Sequence, residues 1–278
     1  MKEESRAAGI YQYLRDCQRI NHAWENWRDY RQELTSYLLK YTSPGSTAAI
    51  FGAGECNDLD LRQLLQHFES VTLYDYDMEA MHRGIERQKA IGFTGLKFRQ
   101  ADFVGIPEEA YIEYTTLLAQ ECATEKRRET VILQKLEQMY ETAEKESLSF
   151  GETIYDYTIV IGVDSQLNNM AEWLYRTVYK AEESSVTERI CRENMTLVRR
   201  FHDAVLKVTG RQLFIGCERA CVGREGAIEG ALQGLWDIED RLNRGELSVI
   251  QGLSVYWPFD VEQEKIFHME IWNLKKER

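Results

Sequence analysis

The residues whose types and spacing could do chemistry fall in a few short stretches. The first is "IFGAGECND" at 50–58. Gly52 and Gly54 let the backbone turn tightly and let a ligand approach it, with Ala53 between them and Glu55 following. A helix after such a turn points unpaired N–H groups and a positive dipole end at a ligand. The second stretch is "VTLYDYD" at 71–77, which sets Asp75 and Tyr76 about 20 residues downstream, where nucleotide-binding sheets place an acid against ribose hydroxyls. A carboxylate there accepts two hydrogen bonds from a vicinal diol. The third, "QADF" at 100–103, puts Asp102 beside Phe103. That pair suits an adenine ring, the acid taking the exocyclic amine and the aromatic taking the ring face. Each has a plainer reading. The glycines could serve a turn with no ligand. Asp75 or Asp77 could cap a helix starting near Met78. Asp102 could be a loop or cap acid.

These stretches need a scaffold that brings them to one edge. Residues 5–41 carry apolar residues at helical spacing, from Ile10 and Leu14 through Cys17, Trp24 and Trp27 to Leu38, with a break expected near Asn21. "TSPGS" at 42–46 ends that segment. Strands are then expected at 47–51, 71–76, 96–102, 157–163 and 212–218, alternating with helical patterns, the clearest at 189–208 and 227–242. Apolar strands alternating with amphipathic helices imply an α/β fold, a mostly parallel sheet covered on both faces. "LSVYWPFD" (253–260) and "KIFHMEIWNL" (265–274) predict an antiparallel C-terminal hairpin on the sheet edge. The segment 107–150 is too long for an ordinary strand-to-strand link. It reads as one or two long helices that could form a lid, a dimer contact or a solvated amphipathic layer on the sheet.

Composition narrows the function classes. The chain has 278 residues and a formal net charge of −12, which argues against a nucleic-acid backbone partner. No run is long and apolar enough to cross a membrane. The start, "MKEESRAAGIYQYLRDC", has charges where a signal peptide has an apolar core, so a cytoplasmic protein is expected. Cys17, Cys56, Cys122, Cys191, Cys217 and Cys221 are scattered without a CxxC pair, which predicts reduced thiols and no metal set.

Together, "AAIFGAGECND", "VTLYDYDMEAM", "LKFRQADF" and "YDYTIVIGVDSQL" resemble the class I S-adenosylmethionine-dependent methyltransferases over about residues 47–274. The resemblance implies a Rossmann-like, mostly parallel seven-stranded sheet with an antiparallel C-terminal hairpin. It divides the chain into an N-terminal helical extension (1–45) and a methyltransferase domain (46–278) with a helical insertion at about 107–150. It also implies S-adenosylmethionine as cofactor. Gly52, Ala53, Gly54 and Glu55 would lie under its methionine part, Asp75 and Tyr76 at the ribose, Asp102 and Phe103 at the adenine, and Gly162 and Val163 near the donated methyl. Asp164 and Gln166 fall where the family faces its acceptor and are the candidate catalytic residues. Two positions depart from the pattern: Ile50 stands where the family has an acid, and Cys56 where it has a third glycine. Asn57 and Asp58 could replace lost polar contacts or cap the next helix, the cap being favoured. The family's Asn/Asp-Pro-Pro-aromatic signature of amino- and nucleobase-N-methylation is missing from "YDYTIVIG".

The implied activity is methyl transfer to a small-molecule, or protein, acceptor, with a homodimer as a possible assembly. The rival readings are a non-catalytic cofactor-binding or regulatory protein on the same sheet, a nicotinamide-dependent oxidoreductase and an aminopropyl transferase. Asp164, His202 and His268 are the candidate general bases. Tyr11, Trp24, Trp27, Tyr256 and Trp257 could wall a substrate pocket or belong to the core.

Overall fold

The computed structural model describes residues 2–16, 19–120, 124–179, 184–223, 228 and 230–277. Cys17 and Cys122 lie outside the described residues; Cys56, Cys191, Cys217 and Cys221 are in no disulfide. The N-terminal segment forms α1 (Lys2–Asp16), α2 (Ala23–Asn26) and α3 (Arg28–Tyr41). The expected break falls at His22, whose backbone is left-handed at φ 56°. Then come β1 (Thr47–Phe51), α4 (Leu61–His67), β2 (Ser70–Asp75), α5 (Met78–Arg87) and β3 (Leu96–Gln100). They are followed by α6 (Glu108–Ala119), α7 (Glu125–Lys145), β4 (Tyr155–Ile161), a 3-10 turn (Asp164–Gln166), α8 (Asn169–Tyr179) and α9 (Ser185–Val208). The chain ends with β5 (Thr209–Cys221), α10 (Ala231–Asn243), β6 (Leu247–Asp260) and β7 (Lys265–Lys276).

The strands form one seven-stranded sheet in the order β3-β2-β1-β4-β5-β7-β6. The pairs β1–β2, β1–β4, β2–β3 and β4–β5 are parallel, and β7 runs antiparallel between β5 and β6. This is the α/β architecture expected, with the hairpin on the edge. Alternation along β1 explains its two covered faces. Ala48 and Ile50 join a core with α3, α4 and α5 residues such as Leu38, Leu64 and Met81. Ala49 and Phe51 join the opposite core with Phe201, Val205 and Ile238 of α9 and α10.

Several boundaries differ from those expected. β5 and β6 run longer than predicted because β7 pairs with both along nearly its whole length. The 107–150 segment forms two helices, α6 and α7, within the one or two expected, and they are not a solvated layer on the sheet. Tyr114, Leu136, Met139 and Tyr140 of α6 and α7 bury against Leu174 of α8 and Ile190 of α9 in a third core. α9 also starts earlier than its apolar stripe suggests. Ser184 and Thr187 form a reciprocal capping box there, the Thr187 N–H donating to Ser184 Oγ at 3.2 Å and the Ser184 N–H to Thr187 Oγ1 at 2.9 Å. Among the described residues no helix is long and apolar enough to cross a membrane.

Candidate functional site

Parallel strands joined through helices bring the C-terminal ends of β1 to β4 to one edge. The turn after β1 is held on top of β2: the Gly52 and Ala53 N–H groups both donate to the Tyr74 carbonyl, at 2.9 and 3.1 Å. Gly52 has φ 74°, and a Cβ there would sit 2.5 Å from Val163 Cγ2, so only glycine lets the turns after β1 and β4 meet. A Cβ at Gly54 would meet nothing within 4 Å. Cys56, at the family's third glycine position, is buried and holds a left-handed φ of 49°. The turn therefore keeps the glycine conformation without the glycine.

Asp75 is the keystone of this edge. Its Oδ2 accepts from the Gly54 N–H and its Oδ1 from the Asp77 N–H, both at 2.8 Å. Burial raises its carboxyl pKa, opposed by these backbone N–H groups. The helix cap is Asp77, whose Oδ1 accepts from the Ala80 N–H at 2.9 Å, which leaves Asp75 to the site. Glu55 turns to α5, accepting from Arg83 Nε at 2.8 Å and Arg87 at 2.6 Å. Burial works to raise its pKa, but the two guanidiniums outweigh it and hold Glu55 below the usual range. The favoured cap role for Asn57 and Asp58 is overturned. Asp60 caps α4, accepting from the Gln63 N–H at 3.0 Å, while Asn57 accepts from Arg87 and Asp58 lines the cleft.

Asp102 Oδ1 accepts from the Val104 N–H at 2.8 Å, a local turn bond that also fixes the carboxylate at the cleft. Phe103 packs on Phe201 at 5.1 Å. All the expected cofactor positions line one cleft of about 400 Å³: Gly52, Ala53, Gly54, Glu55, Asp75, Tyr76, Asp102, Phe103, Gly162 and Val163. Gln166 lines it too, its Nε2 donating to Ser165 Oγ at 3.0 Å and its Oε1 accepting from Asn169 at 3.1 Å. Tyr11 of α1 and Trp27 reach it from the N-terminal extension, and Trp257 and Phe259 from the end of β6.

Asp164 is placed elsewhere. It is 2% exposed and points away from the cleft, with Oδ1 3.0 Å from His202 Nε2 and Oδ2 accepting from Cys217 Sγ at 3.2 Å. His202 Nδ1 lies 2.8 Å from Asp237 Oδ2, which also accepts from Arg241 Nε at 2.7 Å. Burial would lower the His202 pKa, but the charge and hydrogen bond of Asp164, then those of Asp237, lift it to about 9. His202 is therefore a buried cation between two carboxylates. This network ties the turn after β4 to α9 and α10, and neither Asp164 nor His202 faces an acceptor. His268 sits on β7 against Ser254 at 2.5 Å, Trp24 is covered by the Arg31 guanidinium at 3.5 Å and Tyr256 is 64% exposed, so none of these three walls the cleft. Sequence reasoning missed Glu218 and Phe259. Glu218 closes the apolar run "QLFIGCE", three residues before β5 ends, and an acid after an apolar run was the available signal.

No protein-family model matches the chain, and no curated protein matches it. Solved structures of similar shape include the magnesium protoporphyrin IX methyltransferase ChlM from Synechocystis PCC 6803 with S-adenosylhomocysteine bound. It is 10% identical, with 93% of this chain and 89% of that one covered and a TM-score of 0.49. The N-methyltransferase NodS from Bradyrhizobium japonicum WM9 is 14% identical, with 90% and 98% covered and a TM-score of 0.46. The methyltransferase domain of the bacterial protein CtHen1-C is 13% identical, with 91% and 100% covered and a TM-score of 0.48. At these values the likeness carries no weight of its own, and the fold rests on the sheet order and strand directions.

Proposed function

We propose that the chain is an S-adenosylmethionine-dependent methyltransferase acting on a small-molecule acceptor. The observation that carries this reading is the bond from the Gly54 N–H to Asp75, which locks the glycine turn of β1 to the strand-end acid of β2. Asp75 would hold the ribose diol, Asp102 and Phe103 the adenine, and the Gly52–Gly54 turn the methionine part. The residues fit the group. Each Asp75 oxygen keeps a lone pair after its backbone bond. The space beyond the Gly54 α-carbon is open. The cleft volume falls in the range of roughly 300–1,000 Å³ that small-molecule sites occupy.

The cofactor supplies a methyl group already activated on a sulfonium. The chain's own work is to bind, orient and exclude water. Trp27, Trp257 and Phe259 present apolar surface to the cleft, and Gln166, its amide fixed by Ser165 and Asn169, would orient an acceptor. Asp164 serves from behind by anchoring the turn that carries Gln166.

Equilibrium binding of S-adenosylhomocysteine tests the reading. Asp75→Ala is expected to weaken it by roughly 1.5–3 kcal/mol, the value of a hydrogen bond to a charged group. Unchanged affinity in a folded variant would overturn the assignment.

A further inference from the structure

Three buried polar atoms have no hydrogen-bond partner among the described residues at or beside the β4–β6 end of the cleft: Nε1 of Trp257, which lines it, Oη of Tyr30, whose ring stacks on Trp257, and Oε2 of Glu218, whose Oε1 accepts from Ser165 Oγ at 2.7 Å. Leaving such atoms unpaired is costly, so a cluster of them marks a place where a polar ligand belongs. Their side chains adjoin. The Tyr30 and Trp257 rings stack at 5.6 Å. A Cβ on Gly162 would lie 3.0 Å from Trp257 Cζ3 and 3.7 Å from Glu218 Oε1, so a residue without a side chain lines the cleft next to both. The Tyr30 hydroxyl is held protonated by burial and then by the charges of Asp58 and Glu218. Asp58 itself lines the cleft.

The rings complete the picture. Trp27 meets Trp257 edge-on at 4.9 Å, and Phe259 meets Trp257 edge-on at 4.9 Å. The Arg31 guanidinium, whose charge partly opposes the rise at Asp58, donates to the Trp24 carbonyl at 3.0 Å and the Asn57 carbonyl at 2.7 Å and stacks on Trp24. Aromatic faces beside carboxyls attract a small organic cation.

On the methyltransferase reading above, we propose that the acceptor is a small amine, received among Trp27, Trp257 and Phe259 with its charge held by Asp58 and Glu218. An ammonium has no lone pair, so one proton first passes to the Asp58 carboxylate. The freed nitrogen lone pair forms the N–C bond to the sulfonium methyl as the C–S bond breaks, and that electron pair returns to sulfur. The product leaves as the methylated ammonium, and Asp58 gives its proton to water. Burial lifts the Asp58 carboxyl to about 6 and the Glu218 carboxyl to about 7, nearer to an amine than an ordinary carboxyl stands.

The test is calorimetric titration of the full chain saturated with S-adenosylhomocysteine. The probes are choline and its uncharged isostere 3,3-dimethyl-1-butanol. Choline is expected to bind at least about tenfold tighter than the isostere, the margin a desolvated cation–π contact gives. Glu218→Gln should reduce choline affinity by about tenfold and leave S-adenosylhomocysteine affinity unchanged, since a charge-assisted contact is lost only at the acceptor end. Asp58→Asn gives the same reading should Glu218→Gln fail to fold. Normal S-adenosylhomocysteine binding with no preference for choline, or with choline affinity untouched in both variants, overturns the amine proposal alone. Failure of the wild-type chain to bind S-adenosylhomocysteine overturns the methyltransferase reading beneath it.

Discussion

At the β1–β3 end of the cleft, contacts are short in sequence: Gly54 reaches Asp75 across 21 residues, and Asp77 caps the helix that starts next to it. At the β4–β6 end they are long. Trp27 Nε1 donates to the Phe259 carbonyl at 3.1 Å across 232 residues, and Gly162, Glu218 and Trp257 come from the turn after β4, from β5 and from β6. The first end is dictated by strand–turn–helix geometry. The second depends on how the N-terminal extension folds over and where the C-terminal hairpin is laid. A substitution at the first end should therefore act on cofactor affinity, and one behind the second on stability and acceptor affinity.

The largest expected effect lies behind the second end. His202→Leu leaves Asp164 and Asp237 buried without their shared cation and should cost about 3–5 kcal/mol in urea unfolding. A stability close to wild type would show that the network does not anchor the turn after β4. The same histidine sets a pH limit. Its folded pKa of about 9 lies above its ordinary 6.5, so its contribution is complete below pH 6.5 and is lost as pH rises through 9. Thermal unfolding followed from pH 6 to 10 should show this fall, and His202→Leu should flatten it.

Gly52→Ala strikes where the two ends touch. Its Cβ would press on Val163 at 2.5 Å in a left-handed backbone, so roughly 1–3 kcal/mol of stability should go, with weaker S-adenosylhomocysteine binding. Full retention of both would mean that the turns after β1 and β4 are not coupled. The smallest effect is expected at Glu55. Its carboxylate pairs with half-exposed Arg83 and Arg87, so Glu55→Gln should cost no more than about 1 kcal/mol and leave cofactor affinity near wild type. A large loss of affinity would return Glu55 to the cofactor's first contacts.

That contrast also explains what the sequence made legible. Short apolar runs between helical patterns showed the strands, and parallel pairing then forces residues at their ends, such as Asp75 and Asp102, to one edge. Asp164 was misplaced by the same logic, because position after a strand does not fix which way a side chain turns. Its direction is decided by His202 of α9 and by Cys217 of β5, 38 and 53 residues away. Asp58 rather than Asp60 looked like the α4 cap because two acids stood near the helix start, and only the loop's path separates them. The packing of α6 and α7 into a third core likewise depends on partners in α8 and α9 that no local pattern names.

The most direct test of the central claim is calorimetric titration of the purified chain with S-adenosylmethionine, S-adenosylhomocysteine and NADH. The account predicts micromolar binding of both sulfur ligands and none of NADH. Binding of neither sulfur ligand would contradict it and leave a methyltransferase-like sheet that does not hold the cofactor.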